Sequence, residues 1–183
     1  MLIHAIITHS RVNGPGVRSV VYFQGCDLGC AGCWNPATHA IVGAERSADD
    51  VAAQIHGIAG IDGVTFSGGE PMQQAPALLD LITVLKARRP RLSIGMYSGY
   101  TERELDASPI WSEIRQHLDF AVLGRFVAAK PSSLPLRTSA NQSLRLFSSL
   151  YGEDDFRAQE CEVQISHEGL VQITGFPLAG SPA

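Results

Sequence analysis

Strand-like segments alternate with helical patterns along most of the chain, and this alternation limits the fold more than any other feature of the sequence. The predicted strands are dense in β-branched and aromatic residues and cover 2–7, 19–24, 63–67, 92–97 and 120–126. The predicted helices have apolar residues at helical spacing and cover 47–58, 78–89 and 110–118. Because two parallel strands need a crossover connection, helices between the strands predict an α/β fold with a parallel sheet.

The chain changes character near residue 151. Two segments of alternating polarity, 162–166 and 170–174, are separated by three turn residues and predict a β-hairpin. The apolar side chains expected on one face of this hairpin are Val163, Ile165, Val171 and Ile173. We therefore expect a main domain over 1–150 and a C-terminal extension over 151–183, made of the hairpin and a polar tail. The extension either docks a partner or covers a sheet edge, and the cover is the favoured role.

Length and charge exclude several classes of protein. A chain of 183 residues fits one domain with a substantial core. The 14 basic and 18 acidic residues give a net charge of −4, whereas binding to a nucleic-acid backbone requires a basic surface. No apolar run approaches the roughly 20 residues of a membrane span, and residues 1–9 lack the basic flank of a secretion signal. The sequence therefore predicts a cytoplasmic protein that binds neither nucleic acid nor membranes.

Three of the four cysteines are clustered, and this cluster indicates a metal site. Cys26, Cys30 and Cys33 follow the second predicted strand, whereas Cys161 stands alone. Thiols packed into one short segment of a cytosolic chain favour a metal ligand set over a disulfide framework. The glycines between them let backbone amides approach the sulfurs, as in iron–sulfur sites. Three ligands on a four-iron cluster would leave one iron open to a substrate.

The cysteine spacing alone leaves other interpretations open. Zinc would take the three thiolates together with either His39 or Cys161 as a closed tetrahedral site. Inert core cysteines are disfavoured, because three glycines and an aspartate lie among the thiols. Further sequence motifs are needed to choose between iron and zinc.

Such motifs follow in order along the chain and carry a resemblance to a known family. The Cys-x3-Cys-x2-Cys spacing followed by Gly-Gly-Glu-Pro at 68–71 resembles the radical S-adenosylmethionine (SAM) enzymes. The ordered set is similar, more narrowly, to the activating proteins of anaerobic ribonucleotide reductases, which are glycyl-radical enzymes. Its other members are Asn-Gly-Pro-Gly-Val-Arg at 13–18, Trp-Asn-Pro-Ala-Thr at 34–38, Tyr-Ser-Gly-Tyr at 97–100, Gly-Arg-Phe at 124–126 and Arg-Thr-Ser-Ala-Asn-Gln at 137–142.

The resemblance implies the cofactors and their ligands. Cys26, Cys30 and Cys33 would hold a [4Fe-4S] cluster whose open iron is chelated by the amino and carboxylate groups of SAM. One electron from the cluster would cleave SAM to methionine and a 5′-deoxyadenosyl radical. In the resembled family this radical takes a hydrogen atom from a backbone glycine of a large partner enzyme. The predicted function is therefore a glycyl-radical activase, served by an electron donor such as a flavodoxin or ferredoxin.

Further cofactor-binding residues are expected at strand ends and beside the cysteines. They are Gly68, Gly69, Glu70, Trp34, Asn35, Tyr97 and Ser98. Glu70 would accept from the methionine amine, next to which glycine permits a close backbone approach. Trp34 would lie against adenine or the cluster, or in the core. Gly32 stands where related enzymes often place an apolar or aromatic residue, so adenine recognition must fall partly elsewhere. Asn13, Arg18 and Asn141 are further candidates.

The resemblance also implies a fold, and two departures from the family pattern keep other functions open. The fold would be an incomplete parallel (β/α) barrel, because 183 residues are too few for a full barrel of roughly 250. Leu123 stands where the reductase activases carry an aspartate, and the extension from residue 151 goes beyond those proteins. The enzymatic alternative is a radical SAM enzyme that modifies a small molecule or peptide. The non-enzymatic alternative is a zinc-stabilised interaction module.

Overall fold

The computed structural model describes residues 1–156, 160–165, 167–169 and 171–176. The strands are β1 (Ile3–Ser10), β2 (Arg18–Phe23), β3 (Gly63–Gly68), β4 (Ser93–Ser98), β5 (Phe120–Leu123), β6 (Ser143–Leu146), β7 (Cys161–Ile165) and β8 (Val171–Gly175). The α-helices are α1 (Ala48–His56), α2 (Ala75–Arg88), α3 (Glu102–Leu105) and α4 (Pro109–Arg115). Short 3₁₀ turns cover Pro36–Thr38, Pro71–Gln74 and Glu153–Asp155. The predicted polar tail, 177–183, lies outside the described residues.

The first six strands form one sheet in the order β1-β2-β3-β4-β5-β6. The four central strands, β2 to β5, are parallel to one another. The two outer strands, β1 and β6, pair antiparallel with this centre. The predicted α/β fold with a mostly parallel sheet is therefore confirmed, whereas closure toward a barrel stays a prediction. In the part of the chain that the structure describes, no helix combines the length and the apolar character of a membrane span.

The strand predictions differ from the structure at both edges of the sheet. Strand β1, predicted over 2–7, extends to Ser10. The strand predicted over 120–126 ends at Leu123, because Gly124 takes a φ of +117° that turns the chain out of the sheet. Strand β6 has no counterpart in the sequence prediction. Its four residues are mostly half-buried, and their pairing with β5, such as Leu144 opposite Val122, forms the strand.

The side of the sheet that carries the helices, called here the outer face, holds the main core. Val21, Phe66, Met96 and Ala121 stand in one register row across the parallel strands, and all four are fully buried. Helices α1, α2 and α4 pack their apolar sides on this row. Burial of these side chains away from water supplies most of the driving force for the fold.

The opposite side of the sheet, called here the inner face, is polar and aromatic. The Arg18 guanidinium has no exposed surface, donates to Thr65 Oγ1 at 2.6 Å and lies 5.0 Å from the centroid of the Phe120 ring. Two glycines provide the space, since a Cβ on Gly63 would overlap the guanidinium and one on Gly95 would overlap the Phe120 ring. Arg18 begins β2, at the end opposite the cysteines, and its contacts there lie within the interior of the sheet's inner face.

Strands β7 and β8 form the predicted hairpin as a separate two-stranded sheet. Val163 pairs with Ile173 and Ile165 pairs with Val171, so the four apolar side chains share one face as predicted. That face is exposed. The hairpin therefore does not use its apolar side to pack on the rest of the protein.

The polar side of the hairpin contacts the main body instead. Gln164 Nε2 donates to the carbonyl oxygen of His9 at 2.6 Å, and Glu162 Oε2 accepts from the backbone N–H of Arg11 at 3.1 Å. Beyond β8, Phe176 joins a small core on the inner face that also contains Phe120. The extension thus packs on the main body, and its separation as a domain over 151–183 stays a prediction.

Candidate functional site

Three of the predicted site segments emerge at the same edge of the sheet. The segment 25–35, called here the cysteine loop, follows the end of β2. Gly68 ends β3 and Ser98 ends β4. Because these strands are parallel, their carboxyl ends lie together, at the edge where parallel α/β folds place their sites.

Backbone hydrogen bonds join the Gly-Gly-Glu segment to the start of the cysteine loop. Gly69 N–H donates to the carbonyl of Phe23 at 2.8 Å, and Glu70 N–H donates to the carbonyl of Gly25 at 2.9 Å. A Cβ on Gly69 would overlap the Gly25 carbonyl, and one on Gly68, whose φ is +99°, would overlap the backbone of Phe23. Both glycines are therefore needed for this close approach.

The thiols of the cysteine loop are half-buried and free. Burial raises the pKa of Cys26 and of Cys33. The nearby charges of Glu70, Cys30 and Cys33 raise the pKa of Cys26 further. Negative charges on the three sulfurs and on the Glu70 carboxyl group would therefore repel one another. A bound cationic centre would offset this repulsion.

Backbone amides approach two of the sulfurs, as the glycine-rich spacing predicts. Asn35 N–H donates to Cys33 Sγ at 3.4 Å, and a backbone hydrogen bond from Leu28 lowers the pKa of Cys26 against the effect of burial. Contacts of this kind stabilise thiolates and tune iron–sulfur clusters. The donor set therefore fits an iron–sulfur cluster.

The sulfurs are not arranged as a preformed ligand set. Within the described ranges, no group of three or more His, Cys, Asp and Glu side chains is placed to hold a metal ion. This applies to Cys26, Cys30 and Cys33, and equally to the zinc sets that add His39 or Cys161. The ligand assignment from sequence stays a prediction.

Glu70 is buried at the centre of the site edge, with 1% of its surface exposed. Its carboxylate accepts from Met72 N–H at 2.9 Å, from Ser98 Oγ–H at 2.9 Å and from Gly99 N–H at 2.7 Å. Burial raises the pKa of Glu70 to about 7, although these three hydrogen bonds oppose the rise. Ser98, a predicted site residue, therefore orients Glu70, and the pair connects the ends of β3 and β4.

Gln73 is a connecting residue that the sequence analysis missed. Its Nε2 donates to Asp27 Oδ1 in the cysteine loop and to the Tyr100 hydroxyl at 3.3 Å. Its Oε1 accepts from Asp27 N–H at 3.3 Å. No residue pattern marks a glutamine in the turn after Gly-Gly-Glu-Pro as a bridge between loops.

Arg125 is a second residue that the sequence analysis left without a role. Its guanidinium donates hydrogen bonds to both carboxylate oxygens of Glu104, each at 2.9 Å, and lies 5.5 Å from the centroid of the Tyr100 ring. The bond to Glu104 raises the pKa of Arg125, and the charge of Cys30 adds to this. Arg125 is thus a cation near the cysteine loop, and its place in the Gly-Arg-Phe motif was the available signal.

Trp34 and Tyr97 belong to an aromatic group on the inner face. The Trp34 ring centroid lies 5.9 Å from that of Phe126 and 6.1 Å from that of Phe176, and Tyr97 lies 6.4 Å from Phe176. The Tyr97 hydroxyl is buried and has no hydrogen-bond partner among the described residues. Burial raises the pKa of Tyr97, so this hydroxyl stays protonated and able to donate.

The remaining candidates have local partners. Asn13 Nδ2 donates to Ser10 Oγ and to Thr174 Oγ1. Asn141 Nδ2 donates to the carbonyl of Arg125 at 2.8 Å. Leu123, which replaces the family aspartate, is buried in the outer core. These contacts place none of the three in direct contact with the cysteine loop.

Comparisons with known proteins point to one kind of enzyme. A family model described as a 4Fe-4S single cluster domain matches residues 12–145. An anaerobic ribonucleoside-triphosphate reductase-activating protein from Vibrio cholerae is 33% identical over 146 residues, which cover 74% of this chain and 92% of that protein. The protein of the same name from Escherichia coli K12 is 31% identical, with 72% of this chain and 89% of that protein covered.

Two further similarities cover less of the other protein. A pyruvate formate-lyase-activating enzyme from Listeria monocytogenes is 33% identical over 145 residues, which are 76% of this chain but 58% of that enzyme. The crystal structure of QueE from Escherichia coli has 20% sequence identity and a TM-score of 0.41, and 55% of this chain and 52% of that chain are covered. The structural likeness is too weak to support a statement about the fold.

Proposed function

Because this chain belongs to the family of radical SAM activating enzymes with a single 4Fe-4S cluster domain, we propose that it activates a glycyl-radical enzyme. It does so by removing a hydrogen atom from a backbone glycine of that partner. One observation carries the proposal. Backbone hydrogen bonds join the Gly-Gly-Glu segment to the start of the cysteine loop, at the carboxyl ends of β2 and β3.

The cofactors of this family are a [4Fe-4S] cluster and SAM. In this chain Cys26, Cys30 and Cys33 would hold the cluster. When bound, the cluster supplies the electron that cleaves SAM to methionine and a 5′-deoxyadenosyl radical. The amides of Leu28 and Asn35 support the thiolate form of Cys26 and Cys33.

Glu70 orients the methionine end of SAM. Burial raises the pKa of Glu70 to about 7, and the opposite charge of a neighbouring ammonium group would favour its carboxylate form. Ser98 and Gly99 hold that carboxylate in one position, so it accepts from the amine without rearrangement. Gly68 and Gly69 present backbone alone, which lets the amino acid part approach closely.

The aromatic group around Trp34 and Tyr97 excludes water. Trp34 and Tyr97 present ring surface to the inner face, and a dry site protects a reactive radical from side reactions. Asn35 follows Trp34, and its backbone N–H donates to Cys33 Sγ, which fixes the backbone that carries the tryptophan relative to that sulfur.

The fold, the reductant and the compartment complete the proposal. Four parallel strands, outer helices and a site at the carboxyl ends favour the incomplete parallel (β/α) barrel of radical SAM enzymes. A flavodoxin or ferredoxin serves as electron donor, since both deliver single electrons.

Four free cysteines favour the reducing cytoplasm. The net negative charge favours a protein partner over nucleic acid.

The second candidate is a radical SAM enzyme that modifies a small molecule or peptide. It is favoured by the cover over the inner face, where Phe156 and Phe176 pack on Phe120 and Val122. A covered face admits a small substrate more readily than a folded partner.

Anaerobic reconstitution with iron and sulfide, followed by dithionite and SAM, tests the function. We expect about four irons per chain and formation of 5′-deoxyadenosine. Cys30→Ala removes both, whereas the matched control Cys161→Ala, at an exposed hairpin position, keeps both. Stoichiometric zinc with no nucleoside would overturn the proposal and support the zinc module.

The partner separates the two enzymatic candidates. With a glycyl-radical enzyme encoded beside this protein, we expect an electron paramagnetic resonance signal of a protein glycyl radical. Nucleoside formation without that signal, but with hydrogen taken from an added peptide or small molecule, would favour the second candidate.

A further inference from the structure

The end of the hairpin is anchored to the inner face of the sheet by a buried polar contact. Thr174 has 4% of its surface exposed. Its Oγ1 accepts from Asn13 Nδ2 at 2.8 Å and shares a hydrogen bond of 2.9 Å with the Tyr22 hydroxyl. Tyr22 is the next-to-last residue of β2, which leads into the cysteine loop. The segment Thr174–Phe176, called here the tail segment, therefore lies on the inner face near the site edge.

Phe176 extends the tail segment to the residues beside the cysteines. Its ring is 6% exposed and lies between Trp34 and Tyr97, with centroids 6.1 Å and 6.4 Å away. Trp34 directly follows Cys33, and Tyr97 comes from the carboxyl end of β4. Phe176 thus covers the inner-face approach to the cysteine loop.

The covered surface contains a polar group without a partner. The Tyr97 hydroxyl is buried and, among the described residues, nothing accepts its hydrogen bond. Proteins rarely leave a buried donor unpaired, because desolvation is then uncompensated. An acceptor that arrives when Phe176 leaves, such as a peptide carbonyl, would satisfy the hydroxyl. The unpaired group therefore points to a ligand at the place where Phe176 lies.

The hairpin that carries the tail segment is attached differently from the core. Its apolar side is exposed. Among the described residues, its other hydrogen bonds with the body are polar surface contacts, in which Gln164 donates to His9 and Arg11 N–H donates to Glu162. Polar surface contacts are individually weak. The family match also ends at residue 145, so the hairpin is an addition to the matched domain and is free to serve a role of its own.

We propose that Phe176 is a gate that occupies the place where the polypeptide substrate approaches the cysteine loop, and that this substrate displaces it. The inference rests on the proposed function and adds a residue that controls access. While the gate is closed, the radical-forming site is shielded and SAM is cleaved slowly. The substrate segment opens the gate by replacing the contacts of Phe176 with its own and by accepting from Tyr97.

The closed contact is tested first in the cluster-free protein, by tryptophan fluorescence. The chain has two tryptophans, and Trp111 is 1% exposed in the outer core, so a change in acrylamide quenching reports on Trp34. Phe176→Ala is expected to increase quenching, whereas Ile165→Ala, on the exposed side of the same hairpin, leaves it at the wild-type value. Equal quenching of wild type and Phe176→Ala would overturn the closed gate.

The consequence for turnover is tested in the reconstituted enzyme without any protein substrate. Phe176→Ala is expected to raise 5′-deoxyadenosine formation by about tenfold, which corresponds to a gate open in roughly one molecule in ten. Phe176→Tyr, which keeps a ring of similar shape, restores the slow rate. A rate in Phe176→Ala at or below that of wild type would overturn the gate, since Phe176 would then have no role or would support SAM binding.

Further measurements distinguish a loss of the gate from a loss of folding and from a failure of the proposed function. Thr174→Val removes the buried hydroxyl contact while leaving the ring, and it is expected to raise quenching and uncoupled turnover in the same direction as Phe176→Ala. Unchanged thermal melting of the main transition shows that the domain is intact. A wild-type enzyme that forms no nucleoside contradicts the proposed function, whereas the quenching comparison still decides whether the gate exists.

Discussion

The outer and inner faces of the same four parallel strands carry opposite kinds of side chain. On the outer face, aliphatic and aromatic residues such as Phe66 and Met96 are fully buried under three helices. On the inner face, Arg18, Tyr22 and Tyr97 carry polar groups into the interior. Loops and the tail segment, rather than helices, cover that face.

The difference between the two faces assigns stability mainly to the outer face and ligand binding to the inner face. The outer face needs no specific partner, because burial of apolar area is non-directional. Each polar group on the inner face needs a matching acceptor or donor, and one of them, the Tyr97 hydroxyl, lacks it among the described residues. The inner face is therefore the side on which a ligand completes the structure.

The largest effect is expected from a cavity in the outer face. Phe66 is fully buried and packs edge to face on Phe23 at a centroid distance of 6.1 Å. Phe66→Ala should lower the free energy of unfolding by about 3–5 kcal/mol, measured by urea denaturation. Thr83→Ala, at an exposed position of α2, should stay within about 0.5 kcal/mol. A small effect at Phe66 would mean that the outer face is not the main core.

The next largest effect concerns the pH dependence of stability at the site edge between the two faces. The pKa of Glu70 is raised from 4.5 to about 7 in the folded, cluster-free protein. The unfolded chain therefore loses this proton first, and stability falls as pH rises between 4.5 and 7. We expect a loss of roughly 3 kcal/mol over this window, measured by urea denaturation at several pH values, and its absence in Glu70→Gln.

A matched variant checks this assignment to Glu70. The pKa of Glu104 is lowered to about 2 by its bond with Arg125, so Glu104 titrates below the window. Glu104→Gln should therefore keep the wild-type pH slope. The same slope in Glu70→Gln would show that another group causes it.

Most of the outer face was predictable from the sequence, because its formation depends on local patterns. Helix α1, predicted over 47–58, begins after Ser47, whose side chain accepts from Asp50 N–H and caps the helix. The parallel centre followed from the alternation of strands and helices. Strand β6 was not predictable, because its four residues gain their structure from pairing with β5 and carry no clear strand pattern of their own.

The inner face was predictable only in part, because its contacts join distant parts of the chain. The cysteine spacing and the Gly-Gly-Glu motif identified two site segments. In the structure, backbone hydrogen bonds join these two segments. The hairpin and its shared apolar face were also predicted correctly. No local pattern indicates that the ring of Phe176 packs on Trp34, which lies more than 140 residues earlier in the sequence. Likewise, no local pattern indicates the hydrogen bond between Gln73 and Asp27.

A smaller effect is expected where the inner face uses glycine to make room. A Cβ on Gly95 would overlap the Phe120 ring, so Gly95→Ala should lower the free energy of unfolding by about 1–3 kcal/mol through overpacking. Gly57→Ala is the matched control, since its φ is −71° and its Cβ would meet ordinary neighbours at 3.4 Å or more. Equal effects of the two variants in urea denaturation would contradict the tight inner packing.

The smallest effect is expected on the apolar side of the hairpin, although its residues are as hydrophobic as those of the outer face. Ile165 is 70% exposed, so Ile165→Ser removes little buried area and should change the free energy of unfolding by less than about 0.5 kcal/mol. Hydrophobicity stabilises a fold only where it is removed from water. A loss above about 1 kcal/mol in urea denaturation would exceed the range for a surface position and show that this side is covered in solution, which makes the hairpin a binding surface as well as the support of the gate.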